Sequence, residues 1–291
     1  MRSYISDFGR GNSLWQAAGT GIASIHFAAA NGFPAASYRY FLELLSDSFG
    51  IQALENRGMW PGQAPPGEAA DWQDHSDDLI AFLDAQMAAG QLVAPVTGMG
   101  HSIGATVTLL AATRRPELFS RLVLIDPASL PPLGREGVTG AADRKLTLVD
   151  KTRNRRRRWS SREEFLAYLP TRGVYQNFCP QALRDYADAG LVASDDGDFE
   201  LAYAPAWEAQ NFVATPMIWS ALETIQIPTL LLHGESSEMF AAVGMEQLAA
   251  GFSPAVATVL VKGCGHLIPQ EAPEPLAQLI LQWLAAPVDG Q

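Results

Sequence analysis

The sequence predicts an α/β fold in which helices cover both faces of a mostly parallel sheet. Short, continuously apolar runs recur along the chain, as expected of strands that are buried on both faces. Helical patterns of apolar residues lie between most of these runs. Alternation of this kind is typical of a parallel sheet between two layers of helices.

The elements follow in order along the chain. At the N-terminus, YISDFG and LWQAAG flank the turn-like RGNS and predict a hairpin at the sheet edge. Six apolar runs predict buried strands at residues 22–29, 51–56, 92–98, 121–126, 228–234 and 257–263. Helical periodicity predicts helices at residues 37–47, 76–90, 103–115, 245–252 and 275–286.

The interval from about residue 130 to 225 breaks this alternation. It contains several amphipathic stretches separated by Pro and Gly, and no convincing buried strand. We expect a mainly helical cap at residues 131–224, inserted over the strand ends of a core formed by residues 1–130 and 225–291. Residues 144–162 within it carry a net charge of +8, and the rest of the chain carries −19. This segment is a solvated helix face or a positive rim that attracts anions, and the sequence leaves both open.

Composition excludes several classes of protein. The net charge of −11 argues against a nucleic-acid partner, which would draw on a basic surface. Two cysteines are too few for a disulfide framework, and the first residues lack the apolar region of a secretory signal, so we expect a cytoplasmic location. No apolar run is long enough for an integral membrane segment. The expected partner is a small molecule, and the expected oligomeric state is a monomer or homodimer.

The stretch GMGHSIG, residues 98–104, joins a predicted strand to a predicted helix. Gly100 and Gly104 stand two residues before and two after Ser102, where side chains would collide in a sharp strand-to-helix turn. Such a turn exposes the hydroxyl at the carboxyl end of the sheet. It also directs the helix N-terminus, with its free N–H groups, at the hydroxyl. Ser102 is therefore the predicted nucleophile.

With these features the sequence resembles the α/β-hydrolase family over nearly its whole length. More narrowly, it resembles the lidded, esterase-like members in which A-N-G-F-P follows the third strand, here Ala30–Pro34. The resemblance implies an α/β-hydrolase fold with a helical cap after the sixth strand. It also implies an oxyanion hole formed by the backbone N–H groups of Phe33 and Ile103. Asn31 departs from the more usual His-Gly, but backbone donors make that side chain secondary.

A serine hydroxyl needs a base within hydrogen-bond reach. His266, in GCGHLIP after the last predicted strand, lies where the family pattern places that base. Among the other histidines, His101 adjoins the serine but points away from it, His26 and His233 lie in or at the end of buried strands, and His75 is expected to face water.

The acid of the triad has two candidates. The family pattern normally shows an aspartate three residues past the strand-end glycine, and Ser237 occupies that position here. Glu238, one residue later, is favoured. Asp126, at the end of the sixth strand, is the alternative, because some family members supply the acid from there.

A serine in this turn suits acyl transfer and makes epoxide or halide displacement unfavourable. We hypothesise a carboxylic-ester hydrolase that forms an acyl-enzyme and needs no metal or cofactor. The same residues could run carbon–carbon bond hydrolysis, lactone opening or cofactor-free perhydrolysis. From a different class, the fold could serve as a weakly catalytic ligand receptor. Asn31, His101, Trp60 and Trp207 are the predicted substrate contacts.

Overall fold

The predicted strands occur in the computed structural model, which describes residues 1–130, 141–238 and 244–287, apart from the side chains of residues 141–146 and Gln247. In chain order the strands are β1 (Arg2–Asp7), β2 (Asn12–Ala18), β3 (Ala23–Ala28), β4 (Gly50–Leu54), β5 (Leu92–His101), β6 (Phe119–Ile125), β7 (Arg158–Trp159), β8 (Leu191–Ala193), β9 (Phe199–Leu201), β10 (Thr229–Gly234) and β11 (Val256–Val261).

Eight of these strands form one sheet in the order β1-β2-β4-β3-β5-β6-β10-β11. The hairpin of β1 and β2 is antiparallel, as is the pairing of β2 with β4, and the pairs from β4 to β11 are parallel. The predicted mostly parallel sheet, with a hairpin at its edge, is confirmed.

Helices lie on both faces of the sheet and elsewhere along the chain. They are α1 (Arg39–Ser46), α2 (Trp72–Ala88), α3 (Ile103–Arg114), α4 (Ala141–Arg153), α5 (Arg162–Tyr168), α6 (Pro180–Ala189), α7 (Pro205–Val213), α8 (Trp219–Thr224), α9 (Met245–Ala249), α10 (Ile268–Glu271) and α11 (Pro273–Ala285).

The core is divided between the two faces of the sheet. One cluster joins β3 and β4 to α1 and α11, through Phe27, Phe41, Leu45 and Ile280 among others. The other packs α2, α3 and α8 against the opposite face, where Phe82, Leu109 and Leu222 are fully buried. Strands buried on both faces explain the continuous apolar runs in the sequence.

Between β6 and β10 the described residues 141–224, called the insertion from here on, form helices α4 to α8 and a small antiparallel sheet in the order β7-β9-β8. The mainly helical character agrees with the sequence. The small sheet was not predicted, because strands of two or three residues are too short for a period of two to be recognised. Residues 131–140, where the predicted cap begins, lie outside the described residues.

The turn between β5 and α3 forces two backbones together. A Cβ on Gly104 would lie 2.1 Å from the carbonyl oxygen of Ala28, and one on Gly100 would lie 2.4 Å from the backbone of Gly104. Because backbone atoms cannot rotate aside, only glycine fits at either position. Ser102 between them has a φ of +56°, a conformation that a non-glycine residue adopts only under constraint.

Candidate active site

Ser102 and His266 lie within hydrogen-bond distance at the carboxyl edge of the sheet. His266 Nε2 is 2.9 Å from Ser102 Oγ. Ser102 is the N-cap of α3, but its side chain does not cap that helix. The hydroxyl therefore faces the imidazole instead of the helix backbone. The two residues that the sequence predicted as nucleophile and base are brought together.

The second ring nitrogen of His266 faces Asp126. His266 Nδ1 lies 3.4 Å from Asp126 Oδ2, and the aspartate side chain is fully buried. Within the described residues neither oxygen of this carboxylate accepts a hydrogen bond of ordinary geometry. A buried carboxylate left in that state needs an explanation, and the adjacent imidazole supplies one.

Glu238, which the sequence favoured as the acid, is placed differently. Its side chain is exposed, and among the residues that the structure describes it forms no ion pair with His266. Asp126 follows β6, which neighbours both β5 and β10 in the sheet. The geometry thus favours Asp126, the alternative acid, because it starts from the strand beside the one that carries Ser102.

Backbone strain coincides with these side chains. Among the described non-glycine residues, positive φ occurs at Ser102 and at Asp126, where φ is +43°. Such conformations cost on the order of 1–3 kcal/mol each and cluster at functional sites. The two strained residues therefore face the two nitrogens of His266, with Ser102 at Nε2 and Asp126 at Nδ1.

The two amides predicted to bind an oxyanion differ in their surroundings. Ile103 is the first residue of α3, and N–H groups in a first helical turn have no acceptor within the helix. The helix dipole adds positive potential at this end. The Phe33 N–H donates to the Ala30 carbonyl at 3.2 Å, at the long end of the hydrogen-bond range.

His101 connects two loops of the site, and its side chain is fully buried. Its Nε2 lies 2.9 Å from the backbone oxygen of His266, and because a carbonyl only accepts, this nitrogen carries the proton and donates. Its Nδ1 then accepts from the hydroxyl of Tyr38 at 2.7 Å, and that hydroxyl accepts from the Ala30 N–H. Burial, with a smaller contribution from the nearby His266, lowers the pKa of His101 to about 3. His101 is therefore a neutral link at working pH.

The other predicted substrate contacts are engaged with the protein itself. The indole N–H of Trp60 donates to the Glu55 carbonyl, and that of Trp207 donates to the Ala64 carbonyl. Both rings are buried. The side chain of Asn31 forms hydrogen bonds to α7 and to Tyr203 in the turn before it.

His75 was expected to face water, and this expectation was wrong. It is buried on α2 and lies 2.9 Å from Asn211 Oδ1 of the insertion. The helix is amphipathic, but its polar residues are not confined to the outer face, so periodicity could not orient this histidine.

An ion pair that the sequence did not reveal lies beside the Ala30–Pro34 loop. Both carboxylate oxygens of Glu208 accept from Arg155 Nη1, at 2.9 and 2.6 Å. Burial opposes the charge on Arg155, but nearby Tyr186, Glu208 and Tyr175 outweigh this and raise its pKa. A Cβ on Gly32 would lie 2.7 Å from Glu208 Oε1, so the pair packs directly on the loop. Arg155 belongs to the basic run noted in the sequence.

The described residues lack the features of two other classes of protein. Across residues 1–130, 141–238 and 244–287, no helix combines the length and hydropathy needed to cross a bilayer. In the same residues no group of three or more His, Cys, Asp or Glu side chains is arranged to hold a metal ion.

Comparisons with known proteins agree with this fold. Residues 22–279 match the model of the alpha/beta hydrolase family. The 2-(acetamidomethylene)succinate hydrolase of Mesorhizobium japonicum is 26% identical over 83% of this chain and 81% of its own. Lipase LipV of Mycobacterium tuberculosis is 28% identical over 69% of this chain and 71% of its own.

A solved structure extends the agreement to the whole fold. The crystal structure of E-2-(acetamidomethylene)succinate hydrolase superposes with a TM-score of 0.81 at 23% identity, over 98% of this chain and 99% of that one. The fold is that of an α/β hydrolase. The chain belongs to the alpha/beta hydrolase family, as its match over residues 22–279 shows.

The lowered pKa of His101 predicts a pH dependence of stability. The unfolded chain binds a proton at this histidine near pH 6.5, whereas the folded chain does so only near pH 3. Stability is therefore lost as pH falls from 6.5 towards 3. Between pH 6 and 4.5, wild type should lose about 2 kcal/mol more unfolding free energy than His101→Gln. Urea titrations at several pH values measure this difference, and parallel curves would contradict it.

Proposed function

We propose that this chain is a serine hydrolase that cleaves carboxylic esters through an acyl-enzyme, with Ser102, His266 and Asp126 as its triad. The observation that carries the proposal is the line from Ser102 Oγ through both nitrogens of His266 to a buried Asp126. The positive φ at both ends of that line supports it, because strain of this kind is maintained where function requires it.

The chemistry follows from these positions. Ser102 Oγ attacks the ester carbonyl while His266 Nε2 takes its proton. Asp126 stabilises the resulting imidazolium. The carbonyl oxygen becomes an oxyanion that accepts from the Ile103 N–H and from the Phe33 N–H, which it shares with Ala30. His266 then protonates the leaving alcohol, and water activated by the same base hydrolyses the acyl-enzyme to the acid.

In this proposal the cap predicted at residues 131–224, of which the insertion is the described part, covers a core of residues 1–130 and 225–291. Ser102 is only 7% exposed. A cover of this kind keeps bulk water from the oxyanion and strengthens the hydrogen bonds to it.

The choice of ester rests on the serine and on the similarity to a lipase. Carbon–carbon bond hydrolysis, lactone opening and cofactor-free perhydrolysis use the same residues, and a substrate panel separates them. A ligand receptor with negligible turnover is the alternative from another class. The cytoplasmic location and the monomeric or homodimeric state remain predictions.

Replacing the nucleophile tests the proposal. With p-nitrophenyl esters of short, medium and long chain, Ser102→Ala should lower kcat by several orders of magnitude, on the order of 10⁴ to 10⁶. Release of p-nitrophenolate measures the rate, and circular dichroism checks that the variant folds. Equal turnover by the variant and wild type would refute the serine mechanism. A wild type that binds esters tightly without cleaving them would favour the receptor.

Paired amide substitutions discriminate between the two candidate acids. Asp126→Asn should lower kcat by roughly 10³ to 10⁴, because the imidazolium loses its stabilising charge and its correct tautomer. Glu238→Gln should stay within about twofold of wild type. The assay is the same ester hydrolysis. The opposite order of effects would restore Glu238 as the acid.

A second candidate function narrows the substrate to esters that carry a free carboxylate. The favouring observation is the charged guanidinium of Arg155. It pairs with Glu208, and Glu208 in turn packs on Gly32 of the Ala30–Pro34 loop. Glu208 engages Nη1, and Tyr186 offers the guanidinium a further acceptor. A guanidinium carries five N–H donors, so we infer that it can also bind a substrate carboxylate. A relative whose name specifies a succinate substrate points to the same chemistry.

Substrate charge tests this candidate. Wild type should hydrolyse monoethyl succinate with a higher kcat/KM than the neutral ethyl levulinate of matched shape. Arg155→Gln should lower that preference by about tenfold to a hundredfold, because a charge-assisted hydrogen bond is lost. Titration of released acid at constant pH measures both rates. Arg156→Gln, an exposed neighbour that pairs with Glu164, is the control. An unchanged preference in Arg155→Gln would exclude the carboxylate site.

A further inference from the structure

Within the described residues, the side chain of Asn31 forms hydrogen bonds to three residues of the insertion. Its Nδ2 donates to the carbonyl of Glu208 at 2.8 Å. Its Oδ1 accepts from Asn211 Nδ2 at 2.9 Å and from the hydroxyl of Tyr203 at 3.3 Å. Asn31 and Gly32 are the central residues of the turn that the Phe33 N–H closes on the Ala30 carbonyl. These contacts therefore fix the loop that carries one proposed oxyanion donor.

The orientation of this network follows from a single carbonyl. Because the Glu208 carbonyl can only accept, the amide of Asn31 must present its NH₂ to it and its oxygen to Asn211. Asn211 must then present its own oxygen to His75 Nε2, 2.9 Å away. The result is one chain of hydrogen bonds in which His75 on α2 donates to Asn211 on α7, and Asn211 donates to Asn31 in the loop.

Gly32 is held from a second direction. The hydroxyl of Tyr186 on α6 donates to the Gly32 carbonyl at 3.2 Å. Gly32 has a φ of +79°, and the Glu208 carboxylate occupies the space where a side chain would lie. Three separate parts of the insertion, namely α6, α7 and the turn before α7, thus contact two consecutive residues of the loop.

From this convergence we propose that Asn31 and Asn211 are positioning residues, which tie the loop to the insertion and so keep the Phe33 amide aligned with the oxyanion. The inference rests on the proposed function. It assigns Asn31 to the protein network and not to direct substrate contact. It also gives the insertion a role in catalysis, because the insertion then positions one donor of the proposed oxyanion hole.

A matched pair on one helix separates this role from general docking of the insertion. Asn211→Leu removes the bond to Asn31. Gln210→Leu, one residue earlier, removes bonds from the same helix to the carbonyls of Glu68 and Ala70, away from the loop. Both variants remove hydrogen bonds between the insertion and the core, but only Asn211→Leu removes one to the Ala30–Pro34 loop.

The first measurement is kcat and KM for a p-nitrophenyl ester. The second is inhibition by a trifluoromethyl ketone, to whose carbonyl the serine adds to give a bound hemiketal oxyanion. Asn211→Leu should lower kcat by about tenfold to a hundredfold, with KM within threefold, since a small misplacement costs this much. The ketone should bind more weakly by a similar factor, because it shares the oxyanion with the transition state. Gln210→Leu should match wild type in both.

Other outcomes are also decisive. Equal effects of the two substitutions, or loss of thermal stability in Asn211→Leu without a change in kcat, would overturn the proposal. If Asn211→Leu does not fold, Tyr186→Phe, which removes the bond to Gly32, should still lower kcat and ketone affinity together. Turnover that survives Ser102→Ala would instead refute the proposed function, which makes the two failures distinguishable.

Discussion

The close approach of the N-terminus of α3 to the ends of β3 and β5 is the constraint on which the site depends. Gly104 leaves no room for a side chain beside the Ala28 carbonyl, so the helix starts against the end of β3. This contact fixes Ser102 in its strained conformation, and the Ser102 N–H donates to the Ile125 carbonyl at 2.9 Å. Asp126, the next residue, is held by its own N–H bond to Leu232. Nucleophile and carboxylate are therefore positioned by one backbone arrangement across three neighbouring strands.

Neutral hydrogen bonds join the loops around that arrangement. His101 is charged only in strong acid because burial lowers its pKa, so its two bonds keep the same polarity at working pH. One bond reaches the backbone of His266, and the other reaches Tyr38, which receives the Ala30 N–H. The base and the Ala30–Pro34 loop are thus tied through the residue that precedes the nucleophile. A fully satisfied buried network of this kind rigidifies a site without adding charge to it.

The sequence was sufficient where the signal is local. The strands and helices of the core follow from periodicity, and Ser102 follows from the glycines that flank it. His266 follows from the family resemblance, which places the base after the last strand. The acid does not, because Asp126 and Glu238 follow adjacent strands, β6 and β10, and arrive at the same edge of the sheet. Only the positions of both loops in three dimensions decide which carboxylate reaches the imidazole. The environment of His75 was equally inaccessible, since its partner, Asn211, lies 136 positions away in the insertion.

The hydrogen bonds of Asn31 explain why an asparagine suits the Ala30–Pro34 loop. The loop needs a donor towards Glu208 and an acceptor towards Asn211 on one short side chain, and a carboxamide carries both at a fixed separation. An aspartate at this position would place an oxygen against the Glu208 carbonyl. An alanine would remove both hydrogen bonds, each of which contributes about 0.5–1.5 kcal/mol to stability. The side chain at position 31 and the helix that covers it must therefore suit one another, so the packing of the insertion and the geometry of the loop are not independent.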